Sequence, residues 1–139
     1  MKKWTSILLL ILLCFCMLSN CEKEGAVDDR ITFDINSFSN ETHEIVITVH
    51  NGSETDIFFT RNYTIQMKAQ GKWIVIEPPK DTDILTDILQ CPKNSNSTYS
   101  LYWPYSISPG NEYRMIKQYA INEWSNEGQK NSMYCEFNY

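Results

Sequence analysis

The sulfur of Cys21 stands directly behind an apolar run, Ile7 to Leu18, which follows a basic start, Met1-Lys2-Lys3. A basic end, an apolar middle and a cleavage region make a secretory leader, and a thiol at its close is a nucleophile placed where leader processing occurs. Cys14 and Cys16 lie inside the apolar run and leave with it. Two further thiols, Cys91 and Cys135, can either bridge in an oxidising compartment or remain as buried free thiols. A bridge would stabilise by about 4 kcal/mol in the chain-entropy model. Neither has the Cys/His spacing of a zinc site. Asp81, Asp83 and Asp87 form an acidic loop that offers oxygen ligands but lacks the Asp-x-Asp-x-Asp-Gly order of a calcium loop, so it reads as a solvated loop. His43 and His50 are about 23 Å apart on an extended segment, too far to share a metal. Tyr99, Tyr102, Trp103 and Tyr105 make an aromatic run, and Trp124 sits alone in a polar stretch. Exposed aromatics stack on sugar rings or anchor protein partners. Alternation turns Tyr99 and Trp103 inward and leaves Tyr102 and Tyr105 outward.

The elements that position these groups are strands. Ile31, Phe33 and Ile35 recur with period two, as do Ile45, Ile47 and Val49, then Tyr63, Ile65 and Met67, then Tyr99, Leu101 and Trp103, then Met133, Cys135 and Phe137. Period two marks strands with one buried face. Asn51-Gly52, Gln70-Gly71, Pro78-Pro79, Pro92, Pro104 and Pro109-Gly110 punctuate them. Gln70-Gly71 reads as a hairpin turn, and Asn51-Gly52 as a tight turn with positive φ. Trp73 is expected to fill the space between sheets, and Tyr113 to bury its ring while its hydroxyl bonds a backbone group. Ile84, Leu85, Ile88 and Leu89 fit either a helical turn or an irregular strand. Residues 120–130 read as a long connection. The fold class is all-β, a two-sheet antiparallel sandwich with one or two short irregular or helical turns in its loops.

The leader also resembles that of bacterial lipoproteins. Leu18-Ser19-Asn20-Cys21 is similar to a lipobox, with Asn20 where Gly, Ala or Ser is usual. The resemblance implies a diacylglycerol thioether on Cys21 and cleavage before it. The alternative is an ordinary secretory leader with an incidental cysteine. The expected organisation is a leader over 1–20, a lipidated tether over 21–29 and one domain over 30–139.

Three further stretches resemble a bacterial immunoglobulin-like domain found in lipoproteins. They are Ile47-Thr48-Val49-His50-Asn51-Gly52-Ser53-Glu54; Tyr63 to Lys68 with Gly71-Lys72-Trp73-Ile74-Val75-Ile76; and Ser108-Pro109-Gly110-Asn111-Glu112-Tyr113-Arg114-Met115-Ile116-Lys117. The resemblance implies an immunoglobulin-like sandwich and brings no catalytic residue.

Charge narrows the partners. The formal charge is −5, and Lys2 and Lys3 leave with the leader, so the mature part carries −7. Such a domain has no electrostatic footprint for nucleic acid. The sequence has no Gly-rich phosphate loop, no Gly-x-Ser-x-Gly elbow and no paired carboxylates with acid/base spacing. The reading is therefore a non-enzymatic binding or structural module, without cofactor or metal, held by lipid on the extracytoplasmic face of the cell membrane. Its expected partner is an envelope protein or glycan, met by the loops 51–56, 78–87 and 122–131, with Trp124, Tyr105 and Asp83 as candidate contacts. The alternative is a proteinase inhibitor acting through an exposed loop.

Overall fold

The computed structural model describes residues 27–82 and 86–139. The leader, Cys21 and Asp83 lie outside the described residues. Within these bounds there are nine strands and no helix: β1 (Ile31–Ser39), β2 (Glu44–Asn51), β3 (Ile57–Thr60), β4 (Thr64–Ala69), β5 (Lys72–Ile76), β6 (Ile88–Cys91), β7 (Ser95–Tyr102), β8 (Glu112–Ile121) and β9 (Asn131–Asn138). All pair antiparallel. One sheet runs β1-β2-β7. In the other, β8 pairs β9 on one side and both β3 and β4 on the other, while β6 extends β3 and β5 extends β4. The second sheet is thus four rows wide against three. The expected all-β sandwich is observed.

Alternation decides which side chains fill the space between sheets. Ile45, Ile47 and Val49 of β2 meet Ile57 and Phe59 of β3 and Tyr113, Met115 and Tyr119 of β8 in one buried cluster. Each large apolar side chain so buried contributes about 1.5–3 kcal/mol. Of the stretch left open between helix and strand, Ile88 and Leu89 belong to β6. β3 has no separate sequence signal, because four residues are too few to show a period.

Turn chemistry follows the sequence at two places and departs from it at a third. Gln70 and Gly71 both have positive φ, 51° and 77°, the hallmark of a two-residue primed turn. Gly110 has φ 85°, and the Tyr113 hydroxyl donates to the Ser108 carbonyl at 3.0 Å while accepting the Ser108 N–H at 3.0 Å. Gly52, by contrast, needs no positive φ. It is small because the chain leading into β1 crosses it: its N–H donates to the Arg30 carbonyl at 2.8 Å, and a Cβ would lie 3.1 Å from that oxygen. Asn51 has the larger role. Its buried amide donates to the Thr55, Cys91 and Pro92 carbonyls at 2.9–3.1 Å and accepts from the Ser53 N–H and hydroxyl. It ties the end of β2 to the end of β6, in the opposite sheet.

Three expectations are corrected. Cys91 and Cys135 are free thiols, not a disulfide. They sit on β6 and β9, three rows apart through β8 and β3, or about 14 Å at sheet spacing, beyond the roughly 7 Å Cα limit for a bridge. Trp73 is not between the sheets. It lies on the outer face, 4.8 Å from the Arg114 guanidinium carbon, and Trp103 fills the interior instead, with its indole N–H on the Asn40 side chain at 3.1 Å. Tyr105 is buried rather than outward, with its ring 5.3 Å from Trp103 and 5.8 Å from Tyr63. It stands two residues after Trp103 and so shares the inward parity of Leu101 and Trp103, which Ile107 continues.

Truncating Asn51 removes a donor from the Thr55, Cys91 and Pro92 carbonyls and the acceptor of the Ser53 N–H and hydroxyl, although Thr55 O and Pro92 O keep the Ser53 and Ser95 hydroxyls. Asn51→Ala is expected to lower stability by about 3 kcal/mol, read as a fall in the urea midpoint.

Candidate functional site

The site begins with an interruption. Phe58 pairs Ala120 and Thr64 pairs Ile116, so six steps along β3–β4 oppose four along β8. Residues 61–63 bulge out, and the carbonyls of Thr60 and Asn62 lose the ladder donors they would otherwise have. Lys117 supplies them. It follows Tyr113 and Met115 in the inward series of β8 and is fully buried. Its ammonium donates to Thr60 O at 2.9 Å and Asn62 O at 3.0 Å, and lies 5.3 Å from the Phe59 ring and 5.9 Å from the Tyr63 ring. Burial, and after it the Arg61 charge, lowers its pKa to about 7.

Arg61 leaves the bulge in the other direction. It pairs with Asp87 at 2.7 Å and donates to the Ser100 carbonyl at 2.7 Å, while the Tyr63 hydroxyl donates to the Tyr102 carbonyl at 2.6 Å. These two side chains cap the open edge of β7. Asp87 is therefore engaged in an ion pair. Burial raises the Tyr63 phenol well above its ordinary value.

On the outer side of the bulge lies a cleft of about 270 Å³. Thr60, Asn62, Tyr63 and Thr64 line one wall, Ile116 and Gln118 of β8 the floor, and Trp124 and Lys130 the other wall. The loop 122–130 holds Trp124 half-buried against the core, and the Lys130 ammonium lies 5.0 Å from the indole centroid while donating to Asn126 O at 3.0 Å. The same loop bounds a second depression of about 470 Å³ beside Ile121, Glu123 and Gln129. The cleft combines an aromatic wall with amide, hydroxyl and ammonium groups, which suits a ligand having an apolar face and hydroxyls or carbonyls. Its lining carries no carboxylate, imidazole or thiol.

Of the contacts proposed from sequence, the structure brings Trp124 to this cleft. Tyr105 lies in the core, His50 lies on the outer face of the narrower sheet between Asp34 and Asn96 at 2.9 and 3.0 Å, and His43 meets the Trp103 carbonyl. Lys117 is readable in one respect: a lysine in the inward register of an otherwise apolar strand calls for a buried acceptor.

A family model described as a bacterial Ig-like domain matches residues 24–137. Among solved structures, the chain is similar to the archaellum periplasmic stator protein FlaG from Sulfolobus acidocaldarius, with 15% identity and a TM-score of 0.40 over 77% of this chain and 99% of that one. Likeness at that level transfers no role. No curated protein matches the sequence.

The lowered pKa of Lys117 has a thermodynamic sign. Between about pH 7 and the ordinary lysine range, the unfolded chain binds a proton that the folded chain has released, so stability rises with pH over that window. Below it both states are charged, and the cost of burying the ammonium is fully present. The urea midpoint is expected to climb from pH 7 to pH 9, and Lys117→Met is expected to flatten that slope.

Proposed function

The chain belongs to the bacterial Ig-like domain family, and on that premise we propose that it is a non-enzymatic binding module of the cell envelope, held outside the cytoplasm by a lipid on Cys21. The observation that carries this reading is the junction itself. The matched domain begins at residue 24, directly behind a leader that closes on Cys21. A domain so close to an acylated cysteine works at a membrane surface.

Geometry supports the placement. Nine residues stand between Cys21 and Ile31, a reach of about 35 Å when extended. The start of β1 lies at the same end of the sandwich as the loops 51–56, 92–94 and 122–130, since Ile31 pairs Asn51, Asn51 pairs Ser95, and the Asn122 N–H donates to Asp56 O. That end carries Asp28, Asp29, Glu54, Asp56, Glu123 and Glu127 against Arg30, Lys93 and Lys130. An acidic end is repelled by anionic head groups, so the lipid, not the protein surface, supplies the hold on the bilayer.

The binding site we assign is the cleft beneath Trp124, with a glycan or an extended protein segment of the envelope as its ligand class. A proteinase-inhibiting loop would have to project. Trp124 leans into the cleft instead, which weighs against that role for its loop.

Fractionation and capture test the two halves separately. The full chain is expected in the membrane fraction and Cys21→Ala in the soluble extracytoplasmic fraction; a Cys21→Ala chain that stays on the membrane would overturn the anchor. In crosslinking on intact cells, Trp124→Ala is expected to lose the captured envelope component while still unfolding in one cooperative urea transition, at a lower midpoint because the indole packs against the core. Unchanged capture would remove the cleft from the proposal.

A further inference from the structure

The side chains under Trp124 are set out for recognition without help from the backbone. Asn62 is fixed by its main chain: its N–H donates to Thr60 Oγ1 at 3.4 Å, and its carbonyl accepts from the Lys117 ammonium at 3.0 Å. Its side-chain amide is left exposed at the cleft. Gln118, on the floor, is exposed too, and its amide has no hydrogen-bond partner among the described residues. Each amide carries two donors and an acceptor in one plane. Thr60 and Thr64 add hydroxyls, and the Trp124 indole is the aromatic wall beside them.

Each common way of holding a peptide lacks a requirement here. Strand addition takes an exposed sheet edge. β8 is an interior strand, with β9 along one side, β3 and β4 along the other, and the bulge across the gap between those two. A proline-rich segment takes a groove lined by several aromatics, but the Tyr63 ring is turned to Trp103 and Tyr105 and leaves Trp124 alone in that role. An amphipathic helix takes a hydrophobic groove, and Ile116 is the one aliphatic side chain of this lining. An acidic segment takes a cluster of arginines. Among the described residues the lining holds one cation, Lys130, which already donates to Asn126 O at 3.0 Å. A pyranose ring needs what is present: an aromatic ring for its C–H face and planar amides for its rim of hydroxyls. The volume of about 270 Å³ lies just under the range of small-molecule sites, about 300–1,000 Å³, which suits a single ring.

The same chemistry continues beyond the cleft. The outward series of β8 runs from Gln118 through Ile116 to Arg114, about 14 Å at the rise of a strand. Tyr134 stands beside Ile116 on β9 and is 48% exposed. The Arg114 guanidinium carbon lies 5.9 Å from the Tyr134 ring and 4.8 Å from the Trp73 ring, and Nε donates to the Gln66 side chain. We propose that this face is a glycan track, in which the Trp124 cleft holds one pyranose ring of an uncharged linear polysaccharide and Tyr134 stacks on a later ring. The proposal rests on the cleft being the binding site and narrows its ligand to the glycan. Charge sets the kind of polymer. Without Lys2 and Lys3 the chain carries a formal −7, and the cations of the track are engaged, Lys130 with Asn126 and Arg114 with Gln66 and the two rings. An anionic polymer would meet net repulsion.

Co-sedimentation tests the track. The full chain, purified from expressing cells, is mixed with insoluble chitin, cellulose, β-1,3-glucan and starch. It is expected to pellet with at least one of them and to be released by soluble oligosaccharides of the same polymer. Gln118→Ala and Tyr134→Ala change exposed side chains, and each is expected to weaken binding about tenfold while keeping a cooperative urea transition. Tyr102→Ala, an equally exposed tyrosine on β7 of the other sheet, is expected to bind as the parent does. A parent chain that stays in the supernatant with all four polymers would overturn the proposal, as would pelleting indifferent to Gln118→Ala and Tyr134→Ala. If no polymer binds while Trp124→Ala still loses a crosslinked protein in cells, the glycan is overturned and the cleft stands; if neither is seen, the cleft falls with it.

Discussion

The second sheet depends on a lysine acting where a backbone ladder cannot. β8 has to serve β9 along one side and two separate strands along the other, and two strands in one row need a joint between them. A joint inside a sheet exposes carbonyls to an apolar interior, where each unpaired group costs about 1–3 kcal/mol. The Lys117 ammonium bridges both orphaned oxygens and rests among the Phe59 and Tyr63 rings. The desolvation cost is real and shows in the lowered pKa. In exchange, the register of both strands on β8 is set by one side chain, and the bulge is left free to carry Arg61 and Tyr63 to the other sheet.

The joint connects the two sheets in a second way. Tyr63 stacks beside Trp103 and Tyr105, and Phe38 continues the aromatic contacts to Phe137 and Tyr139. Aromatic packing closes one end of the sandwich and the Asn51 amide closes the other. Among the described residues, every buried side-chain polar atom finds a partner. The interior is thus fully committed to holding the fold, and the groups available to a ligand lie outside it, along the bulge and under the loop that carries Trp124.

What can be read from the residues depends on range. Local geometry is legible: Gln70-Gly71 gives its hairpin, Pro109-Gly110 with Tyr113 gives its corner, and period two places Ile45, Ile47 and Val49 inward. Facts that depend on which strands become neighbours are not. Cys91 and Cys135 both sit on strands, but only the row order shows them too far apart to bridge. Trp73 alternates correctly along β5, but which of the two faces is core depends on the pairing with β4, where Trp73 stands opposite Lys68 on the outer side, and no local pattern encodes that. Trp124 stands out for its polar surroundings, yet four of its companions in the cleft, Thr60, Asn62, Tyr63 and Thr64, come from β3, β4 and the bulge between them, far away in sequence.

The two thiols have a consequence for how the chain matures. A sandwich whose contacts join distant parts of the sequence folds comparatively slowly, limited by strand pairing. Oxidative bridging and reshuffling would add steps of seconds to hours. With Cys91 enclosed near the Val49 and Ser95 carbonyls and Cys135 three rows away, the described residues contain no bond that an oxidant must make or a reductant can break. The domain can reach and keep its fold whatever the redox poise of its compartment, and without a thiol oxidase.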